Sequence, residues 1–156
     1  MIPGLEKAEF LRYGQMHRNT YINSPALLKP TLQLKSDGRV FFAGQISGVE
    51  GYAESIATGL MAGRNAAYFT QGKDVKAMPR ETALGSLCHY ITAADPHHFQ
   101  PANITFDLLP ALDDEAKQKF KRDKKARHGE ICRRAESVFQ EFLHANHSGM
   151  YCEVSG

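Results

Sequence analysis

The chain has 156 residues, 42% of them hydrophobic and 23% charged, which is enough for one globular domain with its own core. A net charge of +2 is too small to imply a nucleic-acid partner by itself, and no apolar run approaches the roughly 18 residues of a membrane-spanning helix. Cys88, Cys132 and Cys152 are odd in number and lack metal-ligand spacing, so ordinary thiols in a reducing compartment are expected, with no metal site. No basic region followed by an apolar stretch opens the chain, and a bacterial-type cytoplasm is the default location.

Pro3 and Gly4 mark a turn, residues 8–13 read as a strand, and residues 16–22 as extended chain or turn. Arg12, His17, Arg18 and Asn19 then form a cluster suited to phosphate or carboxylate, because arginine offers a planar fork of donors. His17 has no neighbour of metal-ligating type at suitable spacing. Ser24 as N-cap and Pro25 at the first position predict a short helix that Pro30 ends. Residues 31–34 and 40–43 read as strands joined by a hairpin-like turn at Ser36, Asp37 and Gly38.

The stretch 41–69, FFAGQISGVEGYAESIATGLMAGRNAAYF, organises the rest. A short apolar strand meets Gly44, Gly48 and Gly51, and from about Gly51 small and apolar residues recur at helical spacing: Ala53, Ile56, Ala57, Leu60, Gly63 and Ala67. A strand, a glycine turn and a helix N-terminus make an anion site, since N–H groups leave the first turn unpaired and the dipole favours negative charge. Neither standard phosphate-loop pattern is present. Gly59 and Gly63, one turn apart, allow that face to approach a sheet or ligand closely.

Gln71 and Gly72 predict a glycine C-cap, and a second helix is expected from 80 to 92, with Gly85 and Ser86 allowing tight packing. Cys88 lies on that helix among apolar residues and reads as packed core, not as a nucleophile. The loop 95–103 offers a ring and two amides, Phe99, Gln100 and Asn103, a set suited to a pterin or nucleobase. Residues 105–109 read as a last short strand. Beyond 113 the chain becomes one long helix or two shorter ones, acidic at the start and basic in the middle. Ile131, Ala135, Val138, Phe139 and Phe142 form one face of it, and Gly129 is a candidate bend. Lys117, Lys121, Arg122, Lys124, Lys125 and Arg127 are either a solvated face or contacts to a phosphate backbone.

Three linked segments carry a resemblance. FFAGQISGVEGYAESIATGLMAGRNAA, preceded by IPGLEKAEFLRYGQMHRNTYINSPALLKPTLQ and followed by PRETALGSLCHYITAADPHHFQPANITF, closely resembles the last flavin-binding segment of the folate- and flavin-dependent tRNA (uracil-5-)-methyltransferases. These are relatives of the glucose-inhibited division protein A group, and the resemblance covers about residues 2–106. It implies an α/β fold class: the C-terminal portion of a two-dinucleotide-binding, Rossmann-like flavoprotein domain, followed by a helical tail. Residues 1–110 would be the FAD-domain segment, 111–146 a helical segment and 147–156 a disordered tail.

The resemblance also implies FAD, methylenetetrahydrofolate as methylene donor, NAD(P)H as reductant, and C5 of a uridine in the tRNA T-loop as target. Gly44, Gln45, Ile46, Gly48, Glu50, Gly51 and Tyr52 become flavin-site residues, with Gln45 where the wider flavoprotein class carries an acid. The helix opening near Gly51 and Tyr52 would face the N1/O2 edge of the flavin. Glu54 is expected to be structural, and Ser47 stands where the family has threonine. Arg18, Asn19, Phe99, Gln100 and Asn103 become folate or substrate candidates, and the six cations above become tRNA candidates.

The family's first flavin motif, G-x-G-x-x-G, and its proposed cysteine nucleophiles have no counterpart here, so no catalytic residue is assigned and the chain is expected to be inactive alone. The missing N-terminal part of the enzyme is then a partner, and its absence predicts exposed apolar surface and self-association. Two other readings are a fragment of the related wobble-uridine-modifying group, whose turn is richer in threonine and glutamate, and a non-catalytic remnant.

Overall fold

The computed structural model describes residues 19–147 together with Pro3, Gly4, Lys7 and Glu9. The strand expected at 8–13, the residues Arg12, His17, Arg18 and Cys152, and the tail beyond His147 lie outside the described residues.

Among the described residues five helices carry the fold: α1 (Ser24–Leu27), α2 (Tyr52–Thr70), α3 (Ala83–Ala93), α4 (Asp114–Lys119) and α5 (Lys124–His147). Two 3-10 turns, Gly44–Ser47 and Phe106–Leu108, sit between them. The expected strands at 31–34, 40–43 and 105–109 do not form. Among the described residues β pairing is confined to isolated bridges, Leu28 with Leu34, Gln33 with Phe41, and Val49 with Ala102. Among the described residues the architecture is helices on a framework of turns, and the α/β layering that the resemblance implies is not seen.

The physical reason is local. Leu32 adopts φ 67°, a left-handed conformation that a strand cannot contain. Its N–H closes a turn onto Lys29 O at 2.8 Å, which folds residues 28–34 back on themselves. The turn at Asp37 is kept, with Val40 N–H on Asp37 O and Leu34 N–H on Val40 O. Arg39 forks onto the Asp37 carboxylate at 3.0 and 2.8 Å and holds it down to about 2. At 105–109 the backbone winds into the 3-10 turn instead.

Both long central helices lie close to their expected places. α2 begins after Gly51 and ends at a C-cap, Gln71, followed by Gly72 at φ 68°, the left-handed stop that the sequence marks. α3 starts at Ala83 and not at 80, because Thr82 is the N-cap and its hydroxyl oxygen accepts from Gly85 N–H at 3.0 Å. Gly85 is where the lead-in crosses the helix: a Cβ there would stand 1.8 Å from Pro79 O. The basic segment forms two helices, and α5 runs through Gly129 without a break, capped by Asp123 through Ala126 N–H at 2.9 Å.

The core lies where α2, α3 and the two loops meet. Leu32, Val49, Met61, Ala62, Leu87, Cys88, Ile91 and Phe99 form it. α5 is joined to the loop before α4 by Arg134, whose guanidinium donates to Pro110 O and Ala111 O, and by the stack of His128 on Phe106 at 3.8 Å.

The buried face of α2 differs from the one its apolar pattern predicts. Thr58 and Asn65 are fully buried, whereas Ile56 and Leu60 are 75% and 76% exposed and nothing lies within 4 Å of a Cβ built at Gly59 or Gly63. The close approach expected at Gly59 and Gly63 is thus absent within the described residues. Thr58 Oγ1 accepts from Gly44 N–H at 3.0 Å, and Asn65 Nδ2 donates to Thr31 O at 3.1 Å. Irregular backbone has no ladder to satisfy its polar groups, so buried side chains do it instead.

Candidate functional site

The glycine turn is a 3-10 turn, Gly44–Ser47, flanked by two left-handed glycines, Gly44 at φ 68° and Gly48 at φ 89°. Buried hydroxyls hold it from behind. Ser24 Oγ donates to Ser47 O at 2.8 Å, and Ser47 Oγ donates to Gly44 O at 2.7 Å. The outer side is open, with Gln45, Ile46 and Glu50 exposed while Gly44, Ser47, Gly48 and Val49 are buried.

α2 starts immediately beyond. Gly51 is its N-cap and supplies no side-chain cap, and the first intrahelical bond is Ser55 N–H to Gly51 O at 2.8 Å. The N–H groups of Tyr52, Ala53 and Glu54 make no hydrogen bond within the described residues. Tyr52 itself is 92% exposed. Three donors at the positive end of a 19-residue helix, beside a turn in which Gly44, Gly48 and Gly51 lack a Cβ, fit an extended anionic or carbonyl-rich ligand. Glu54 is the acid of the first turn and offsets part of the helix dipole there. Its carboxylate turns back over Gly51, where a Cβ would lie 1.9 Å from Oε2, and accepts from Ile104 N–H at 3.3 Å.

The loop candidates divide. Gln100 and Asn103 are exposed, as is Asn19, whereas Phe99 is only 6% exposed. Its ring packs against the inner side of Gly48, edge-on to Tyr21 at 5.8 Å and tilted to Tyr90 at 6.1 Å. In this arrangement Phe99 has no face open for stacking on a ligand. The same loop shows a pair that sequence reading passed over: His98 Nδ1 lies 2.6 Å from Asp95 Oδ2, and that hydrogen bond holds the Asp95 carboxyl below its usual range. Adjacency in the sequence draws the eye to His97 and His98, but the i,i+3 spacing from Asp95 was the usable signal.

Cys88 is 1% exposed, and burial pushes its thiol up to about 12. A thiol in that state is not a nucleophile at neutral pH. Lys117, Lys121 and Arg127 line one open depression of about 530 Å³, and Lys117 is paired with Asp114 at 2.9 Å. Arg122, Lys124 and Lys125 are exposed nearby in sequence but do not line it. A separate apolar cavity of about 520 Å³ lies along the C-terminal half of α2, away from the turn. It is walled by Leu60, Met61, Met78 and Phe139, with Arg64 placed over the rings of Tyr68 and Phe142. No cluster of metal-ligating side chains occurs among the described residues, and no helix among them is long and apolar enough to cross a membrane.

Residues 1–74, which contain the glycine turn and α2, match the family model described as glucose inhibited division protein A. The chain is also 62% identical over 145 residues to the methylenetetrahydrofolate–tRNA-(uracil-5-)-methyltransferase TrmFO of Solibacter usitatus, covering 93% of this chain and 33% of that protein. It is 61% identical over 143 residues to the same enzyme of Koribacter versatilis, covering 92% and 32% respectively. With the Pelotomaculum thermopropionicum enzyme it shares 57% identity over 146 residues. The chain is similar to these methyltransferases and spans about a third of their length.

Proposed function

We propose that this chain supplies the flavin-holding turn of a folate- and FAD-dependent tRNA (uracil-5-)-methyltransferase. The observation that carries the reading is the open, uncapped start of α2 beside the two left-handed glycines, in a segment 62% identical to a protein of that name. Gly44, Gln45, Ile46, Gly48, Glu50, Gly51 and Tyr52 would border the cofactor, with the N–H groups of Tyr52, Ala53 and Glu54 offered to its electron-rich edge. Bound there, FAD supplies the reducing equivalents that turn a methylene carried by methylenetetrahydrofolate into a methyl group at C5 of a T-loop uridine, and NAD(P)H restores it.

The residues of this chain would hold the cofactor, keep Gln45 as a neutral hydrogen-bonding side chain beside it, and place Asn19, Gln100 and Asn103 on exposed chain for folate or base. Lys117, Lys121, Arg122, Lys124, Lys125 and Arg127 would meet tRNA phosphates. No catalytic role is assigned to its described thiols: Cys88 is sealed in the core, and Cys132 is an exposed residue of α5. Methyl transfer therefore needs the two-thirds of the relatives that this chain does not match, and the exposed apolar face of α2 is the seat we assign to that portion. A cytoplasmic location accords with a tRNA substrate. The related wobble-uridine group is the second reading, and the division-protein match over residues 1–74 speaks for it. The more extensive identity with enzymes named as methyltransferases favours the first.

The test is the visible spectrum of the purified chain after incubation with FAD and desalting. A retained flavin spectrum is the expected result. Flavin that washes away would overturn the flavin reading of this turn.

A further inference from the structure

We propose that Phe99 is a positioning residue for the flavin, acting from the buried side of the glycine turn; the proposal rests on the flavin reading above. A Cβ built at Gly48 would stand 2.5 Å from Phe99 Cζ, so the ring occupies the space directly behind that left-handed residue. The chain that follows Phe99 then fastens the turn on both sides. Ala102 N–H donates to Gly48 O at 3.0 Å, and Glu50 N–H donates to Ala102 O at 3.1 Å, forming the parallel bridge between Val49 and Ala102. Ile104 N–H reaches the Glu54 carboxylate in the first turn of α2 at 3.3 Å.

The far end of the segment is anchored as well. Asn23 Nδ2 donates to Pro96 O at 3.1 Å beside α1, and Tyr90 on α3 donates its hydroxyl to Gln100 O at 2.9 Å. The segment 96–104 therefore connects α1, α3 and α2 to the turn. Its one large buried ring sits against the residue that ends the 3-10 turn, where the chain reverses towards Gly51. Moving that ring frees Gly48 and alters the direction in which the first N–H groups of α2 point. A ligand read by those donors responds to such a shift even when the core stays folded, because placement errors near 1 Å cost orders of magnitude in site performance.

The experiment compares the full chain with Phe99→Leu, Phe99→Tyr and a core control, Ile91→Val, a fully buried position on α3. FAD affinity, the visible circular dichroism of bound flavin and amide exchange at Glu50 are read for each. The expected result is that Phe99→Leu weakens FAD at least tenfold, changes the dichroism of the flavin still bound and speeds exchange at Glu50. Phe99→Tyr should also weaken FAD, because its hydroxyl would extend from Cζ into the space of Gly48, and Ile91→Val should leave all three readings as in the wild type. Wild-type affinity and dichroism in Phe99→Leu, or equal losses in Ile91→Val, would overturn the role of Phe99 while the flavin reading stands. A wild-type chain that binds no FAD defeats the flavin reading, and this proposal with it.

Discussion

The two faces of α2 are inverted relative to an ordinary surface helix. Its inner face carries Thr58 and Asn65, both fully buried, beside Met61 and Ala62, while its outer face presents Tyr52, Ile56, Gly59, Leu60 and Gly63. An isolated amphipathic helix turns its apolar stripe inwards. Here the polar stripe is inside because irregular chain at residues 31 and 44 needs partners, and the apolar stripe is left uncovered within the described residues. α2 thus holds the turn with its inner side and exposes Ile56 and Leu60 on its outer side.

The largest effect should come from the inner face. Thr58→Val keeps shape but strands the Gly44 N–H, and Asn65→Ala strands Thr31 O; each should cost about 1–3 kcal/mol, read as a lower urea midpoint. A loss near zero would mean that the buried hydroxyl and amide do not hold the loops.

The outer face should behave oppositely. The double substitution Ile56→Gln and Leu60→Gln is expected to change stability by no more than about 0.5 kcal/mol at each site, while sedimentation shows less self-association than in the wild type. A large loss of stability would show that this face is already covered and would erase the contrast between the two faces.

A pH-dependent effect, confined to alkaline solution, sharpens the same inside–outside distinction on α3, where Cys88 faces the core. Its folded thiol titrates near 12 against a reference of 9.0, so above about pH 9 the unfolded chain gives up a proton that the folded chain keeps. Stability should therefore fall as pH rises from 9 towards 12, and Cys88→Ala should flatten that slope in urea titrations. Thiol reagents at pH 8 should label the exposed Cys132 in the native chain and reach Cys88 only on unfolding.

How much was legible in the sequence follows the range of the interactions concerned. The glycine turn, the cap at Gly72 and the family resemblance were readable because each depends on neighbouring residues or on a contiguous motif. Phe99 was readable as an aromatic in a loop, but its position behind Gly48 was not, since the contact joins residues far apart in the chain. The strands at 31–34 and 40–43 were misread for a related reason: alternation predicts extension, yet nothing in it reveals the left-handed Leu32 that folds the segment into a turn.

The sequence by itself determined that residues 52–70 would be a helix following a glycine turn, because small residues at helical spacing, an open N-terminus and a glycine stop are local properties. It also carried the resemblance to the methyltransferases. Only the tertiary structure decided which side of that helix is buried. Burial depended on hydrogen bonds from Thr58 to Gly44 and from Asn65 to Thr31, across 14 and 34 residues. Helical periodicity gives two stripes, and the backbone groups that need satisfying choose between them.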